Sequence, residues 1–245
     1  MIRENYNQKL LEEFVNSAYK LGLKEIAFTD HDEYLKNLNW DLIEKVSKNS
    51  PIKVLKALEF DYIPGREEAI RRNIKKYKLD FAIGSIHFID GWGFDNPKYI
   101  EEYSKRDIDL SYKNYFQLVL KAIRSNLFDI IGHFDLIKLF AFRPNQDNKD
   151  NLDSFVKDIL RELKQNSLVL ELNTNGINKP IKEIYPSEEI IRMAYDLNIP
   201  FTLASDAHHP KRVGENIKAS AELLKKIGYK EIAVFEDRKM SFQEL

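Results

Sequence analysis

The amino-acid sequence predicts an α/β fold, a distorted (β/α) barrel around a mainly parallel sheet. Short apolar runs alternate with longer stretches of helical period, the pattern of successive βα units. Histidines and carboxylates recur where the apolar runs end, which is the active face of such barrels. The length of 245 residues is about what one barrel uses, so 1–245 is read as a single domain.

Strands are expected near 24–29 (KEIAFT), 52–59 (IKVLKALE), 80–86 (DFAIGSI), 128–132 (FDIIG), 168–173 (LVLELN), 200–205 (PFTLAS) and 231–235 (EIAVF). Amphipathic helices are expected at about 8–21, 40–48, 66–77, 111–125, 151–165, 187–197 and 213–227, each with apolar residues three and four apart. Ser187-Glu188-Glu189 behind Pro186 reads as a helix start, and Gly22 after AYKL as a helix stop. The longest irregular stretch, Phe88 to Ser111, contains GWGFDNP and leaves a strand that carries a histidine, so it is expected to cover a site, with Trp92 touching substrate. No linker, low-complexity tract or internal repeat divides the chain. The first element is a helix, whereas an alternating barrel ordinarily opens on a strand.

Composition narrows the chemistry. Thirty-eight Lys+Arg balance thirty-nine Asp+Glu, which leaves no basic field to gather nucleic acid or an anionic membrane and favours a small substrate. Cysteine is absent, so thiolate metal sites and a cysteine nucleophile are excluded, and any metal rests on His, Asp and Glu. The opening MIRENYNQKLLEEF has no apolar core of a signal peptide, and no run approaches a membrane span, so a soluble cytoplasmic protein is expected.

Four of the five histidines close or follow a predicted strand: His31 in FTDHD, His87 in GSIHF, His133 in IGHFD and His208 in SDAHH. Acidic residues share that placement, with Asp30 and Asp32 around His31, Glu59 closing KALEF, Glu171 in LELNT and Asp206 before His208. Imidazole with carboxylate suits zinc, manganese or iron. One strand-end histidine is ordinarily a hydrogen-bonded loop residue, but four at four strand ends argue for convergence. For Asp30 and Asp206 the competing reading is a turn cap. His209 is read as a spare.

Six ordered segments resemble motifs of the polymerase-and-histidinol-phosphatase (PHP) superfamily. They are Phe28-Thr29-Asp30-His31, Ala57-Leu58-Glu59-Phe60, Gly84-Ser85-Ile86-His87, Gly132-His133-Phe134-Asp135, Glu171-Leu172-Asn173-Thr174 and Ser205-Asp206-Ala207-His208. ELNTNGINKPIKEIYPS and FDIIGHFDLIK are most similar to histidinol-phosphate phosphatases. The resemblance implies a distorted seven-stranded barrel holding up to three divalent metals (Zn, Mn or Fe) that share a phosphate. It implies Glu59 as the bridging carboxylate, His87 and His133 completing one metal with it, Asp206 serving a second, and His31 with His208 a third. Arg143 and Lys179, in loops after matching strands, are the candidates for phosphate oxygens, and Asp206 and Arg143 are the catalytic candidates.

The chain departs from that family in one respect: no His-x-His precedes His31. The family's first strand is thus expected to be absent, with the start truncated or misassigned, the activity weakened, and an open sheet edge that favours homo-oligomers. The function expected is phosphate-monoester hydrolysis on a small phosphorylated metabolite, foremost histidinol phosphate of histidine biosynthesis. Nucleotide or sugar phosphates are the alternative substrates, and a non-catalytic metal-binding domain the alternative role.

Overall fold

Six parallel strands form because each is a run of apolar residues covered by a helix on one side and lining an interior on the other. The computed structural model describes residues 7–245, so the first six of the residues read above for a leader lie outside the described part. In order the elements are α1 (Gln8–Lys20), β1 (Glu25–Phe28), α2 (Trp40–Lys48), β2 (Lys53–Asp61), α3 (Glu67–Tyr77), β3 (Phe81–Ser85), β4 (Phe88–Ile89), β5 (Trp92–Gly93), α4 (Ile108–Arg124), β6 (Ile130–Ile131), α5 (Lys149–Gln165), β7 (Val169–Asn173), α6 (Glu188–Asp196), β8 (Phe201–Ala204), α7 (Ile217–Ile227), β9 (Glu231–Glu236) and β10 (Lys239–Glu244). Among the described residues, no helix is long and apolar enough to cross a membrane.

The main sheet runs β1-β2-β3-β6-β7-β8, parallel throughout. Its register places Glu59 beside Ile83, Ile83 beside Ile130 and Ile130 beside Val169. The helices supply the covering face as their periodicity predicts. α1 is capped by Asn7, whose side chain accepts the Leu10 N–H at 3.0 Å, and it ends at Gly22, where φ is +77°. Ser187 occupies the N-cap position of α6 without a side-chain cap bond, and its own N–H is taken by Asp135 at 2.9 Å.

Alternation along the strands separates two cores. Leu58 and Phe60 face the helices and join the large core cluster, whereas Leu55 and Ala57 face inward with Phe81, Ile83, Ile130 and Val169. Each inward column is thus apolar at its start and chemical at its end: Leu55, Ala57, then Glu59 and Asp61 in β2.

The strand expected at 231–235 does not join the parallel sheet. It pairs antiparallel with β10, which the sequence reading missed, through a turn at Asp237 (φ +49°) and Arg238 (φ +61°). Both turn residues are left-handed, the geometry of the tight hairpin turns that match strand twist. Ala233 and Phe235 of this hairpin pack onto the inward apolar residues.

Arg238 fixes the hairpin. Its Nε lies 2.9 Å from Asp129 Oδ2, and its Nη2 donates to Asp129 Oδ1 at 3.0 Å and to the Leu127 carbonyl at 2.8 Å. Asp129 also accepts the Ala82 N–H at 2.8 Å, so one carboxylate ties β3, the start of β6 and the hairpin together. Arg238→Ala leaves a largely buried carboxylate without its cation and should lower stability by about 2–4 kcal/mol in chemical denaturation. A change under about 0.5 kcal/mol would show that the hairpin is held by its apolar contacts alone.

Candidate metal centre

Glu59 is the convergence point. It sits at the inward end of β2, and three imidazoles from three different strand ends turn their Nε2 atoms toward its two oxygens. His133, after β6, lies 3.0 Å from Oε1; His31, after β1, lies 3.3 Å from Oε2; His87, after β3, lies 3.6 Å from Oε1. The rings of His31 and His87, and of His87 and His133, have centroids 5.0 Å apart. The ligand atoms of His31, Glu59 and His87 all fall within 4.8 Å of one another, close enough to share one ion.

The electrostatics follow from this crowding. Burial works against the charge of Glu59, but His31, His133 and His87 outweigh it and hold the carboxyl well below its usual range. Burial likewise opposes charge on His31 and His87, yet Glu59 and Asp61 outweigh it and raise both rings to about 9. Without metal, the centre is a cluster of imidazoliums between carboxylates, the donor set and charge balance that a divalent cation would replace. The residues fit the group.

The other wall comes from β7 and β8. Glu171 is buried, accepting the His133 N–H at 2.8 Å and the Asn173 amide at 3.1 Å. Burial, then the charges of Glu59 and Asp206 against the pull of His133, lift its pKa to about 7. Gly132 makes room: a Cβ there would stand 2.4 Å from Ser85 Oγ and 3.6 Å from Glu171. Asp206 follows β8 with φ +48°, a left-handed conformation that Asp tolerates better than most residues. Its Oδ2 accepts from Asn175 at 2.9 Å and Asn173 at 3.4 Å. His208 bends back so that its Nδ1 lies 2.9 Å from the Asp206 carbonyl, with its side chain 41% exposed. A cavity of about 290 Å³ is lined by His31, Glu59, His133, Glu171, Asp206 and His208 among others.

Of the residues singled out from sequence, Glu59, His31, His87 and His133 meet directly, while Asp206 and His208 line the same cavity. His31 stands with Glu59 and His87 rather than apart from them. Lys179 is close enough to His208 for its charge to help lower that ring's pKa, after burial. Arg143 is half-exposed and paired with Glu183 at 2.5 Å, and neither it nor Lys179 lines the cavity. The reading of Trp92 as a substrate contact is corrected. Trp92 is 5% exposed, packed against Phe94 and Tyr103 with the Arg106 guanidinium over its ring, so it anchors its loop inside the core. Asp32 is a clamp, bound to Arg66 at 2.6 Å.

Asp61 was not selected from sequence, although the signal was present: it is two residues beyond Glu59 in an inward-facing strand and so shares its face. Asn173 carried the same signal, two residues beyond Glu171 in β7, whereas Asn175, which also holds Asp206, carried none.

Histidine and carboxylate donors gathered at the carboxyl ends of a curled parallel sheet define a metal centre of the α/β-barrel class. The profile of the PHP domain family matches residues 8–175. A probable histidinol-phosphatase of Deinococcus radiodurans is 32% identical over 93% of this chain and 91% of its own length. The histidinol-phosphatase of Lactococcus lactis is 25% identical over 96% of this chain and 91% of its own. The crystal structure of the Lactococcus lactis histidinol phosphate phosphatase, complexed with zinc, L-histidinol and phosphate, superposes with a TM-score of 0.76 over 94% of this chain and 92% of that one, at 24% identity. The protein described here belongs to the PHP domain family.

Two expectations follow. The charged state of His31 and His87 stabilises the metal-free fold fully below about pH 6.5, the ordinary value, and is lost as pH rises through about 9. The melting temperature of the metal-free protein should therefore fall over that interval, more steeply than in a His31→Gln, His87→Gln variant; parallel curves would contradict the charge assignment. Trp92→Ala should cost about 3–5 kcal/mol by chemical denaturation, the loss typical of a buried aromatic.

Proposed function

We propose that this chain is a metal-dependent phosphatase whose substrate is histidinol phosphate. The observation that carries the reading is Glu59 with three imidazole Nε2 atoms within 3.6 Å of its oxygens, beside a cavity that also holds Asp206 and His208. Similarity over nearly the whole length of proteins named histidinol-phosphatases supports the substrate.

His31, Glu59, His87, His133, Asp206 and His208 would hold the divalent ions, Glu59 offering one oxygen beside His31 and the other beside His133. Bound metal supplies Lewis-acid activation of water and neutralisation of the phosphate. Zinc, manganese and iron all suit this oxygen and nitrogen donor set. Asp206, held as a carboxylate by two asparagine amides at the cavity wall, is fixed in orientation and would take the proton released by the attacking water and return it to the leaving alkoxide. Lys179, on the His208 side, steadies a phosphate oxygen by charge. Arg143 does the same once phosphate competes with Glu183 for its guanidinium. A small phosphorylated metabolite matches a cavity of about 290 Å³.

The test is phosphate release by the purified protein loaded separately with Mn²⁺, Zn²⁺ and Fe²⁺, on histidinol phosphate, a hexose phosphate and a nucleoside monophosphate. Histidinol phosphate should give the highest kcat/KM, and Glu59→Gln should lower it by about 10³-fold or more, as expected for loss of metal activation. His87→Ala and His133→Ala should each reduce bound metal by elemental analysis. A higher kcat/KM on either other ester would reassign the substrate, and failure with all three metals would reject the phosphatase reading.

A further inference from the structure

Two imidazoles of the centre are held from both sides by carboxylates of a single strand. His31 and His87 direct Nε2 at Glu59, at 3.3 and 3.6 Å, and direct Nδ1 at Asp61 Oδ1, at 3.5 and 2.5 Å. Glu59 and Asp61 are two residues apart on β2, so the strand repeat itself spaces an inner and an outer carboxylate on one face. His133 lacks this arrangement: its Nδ1 is buried without a partner.

Asp61 is itself fixed at both ends of its peptide. Its N–H donates to Asp32 Oδ1 at 3.3 Å, its carbonyl accepts from Arg66 Nη1 at 3.1 Å, and Arg66 Nη2 donates to Asp32 Oδ2 at 2.6 Å. These bonds fix the Asp61 backbone, so its carboxylate is presented to the two rings from a set position on the strand.

We infer that Asp61 is a positioning residue shared by two ligands: it accepts Nδ1–H from both His31 and His87, which fixes their ring planes and leaves both Nε2 lone pairs for metal. The physical reason is that a neutral imidazole has one N–H and one lone pair, so an acceptor at Nδ1 selects the tautomer that coordinates through Nε2. An anionic acceptor also makes Nε2 a better donor. Because one oxygen serves both rings, the two ligands are coupled, and loss of Asp61 disturbs them together. The inference rests on the metal-dependent reading of the centre given above.

The test uses the full chain as Asp61→Ala and the isosteric Asp61→Asn, with zinc as the probe. Calorimetric titration should show affinity reduced about 10–100-fold in Asp61→Ala, the usual effect of losing an outer partner, with unchanged stoichiometry. Asp61→Asn should recover part of the loss, since its amide oxygen still accepts Nδ1–H. In the zinc-loaded wild type, ¹⁵N spectra of the histidine rings should show His31 and His87 protonated at Nδ1 and bound through Nε2. In Asp61→Ala those two Nδ1–H signals should broaden or vanish through exchange with water, while the ring ¹⁵N signals of a surface histidine such as His209, whose Nδ1 accepts the Lys211 N–H, stay the same.

Wild-type affinity in both variants, or unchanged Nδ1–H signals despite weakened binding, would overturn the inference. A fall in stoichiometry by one ion would do so as well, making Asp61 a direct ligand. Asp61-dependent zinc binding in a protein that hydrolyses no phosphate ester would leave the positioning role standing and remove the proposed function. Phosphatase activity with Asp61-independent zinc affinity would do the reverse. A wild-type protein that takes up no zinc overturns the inference, while the phosphatase reading stands or falls on the assays with manganese and iron.

Discussion

The structure depends on one carboxylate set on the inner face of the barrel. Glu59 is drawn inside the barrel by its own strand, whose apolar residues on both faces leave it nowhere else to go, and an unpaired carboxylate there would be strongly unfavourable. His31, His87 and His133 resolve this by surrounding it, and each arrives from a different βα unit. The chemistry is therefore also a packing constraint, since three strands must end in register for one charge to be balanced. The parallel ladder β1-β2-β3-β6 supplies that register.

The remaining polar groups extend outward from the same point. Asp61 holds the far side of two rings, while Arg66 and Asp32 hold Asp61. On the opposite wall Glu171 braces the His133 backbone and Asn175 braces Asp206. Few of these groups are free to reorient, which is the preorganisation a catalytic centre needs, since donors already in place cost nothing to assemble during reaction. The chemical groups gather at the carboxyl ends of the strands, while the strand starts contribute apolar side chains against which Ala233 and Phe235 of β9 pack.

Much of this was legible in advance. Helices at 40–48 and near 8–21, 66–77 and 151–165 followed from three- and four-residue apolar spacing, which is a local property of an amphipathic face. The strand-end histidines were legible because parallel α/β folds put function at that end. Less legible was the partner of EIAVF: the run DRKMSFQE carries few apolar residues, so β10 shows no strand pattern of its own and is stabilised by pairing with β9. Trp92 was misread because a glycine-flanked aromatic in a long loop looks exposed, whereas Phe94, Tyr103 and Arg106 enclose it.

By itself the sequence determined the alternation of helices and strands, the absence of thiol chemistry, and a set of histidines and carboxylates at strand ends. Those are consequences of periodicity and residue type, which are written along the chain. Only the tertiary structure decided which donors meet. His31 and Glu59 are brought together by parallel pairing of β1 with β2, and Asp61 reaches rings from two other units because curling the sheet turns those strand ends toward one axis. Distances between residues far apart in sequence depend on register and curvature, and no local pattern encodes either.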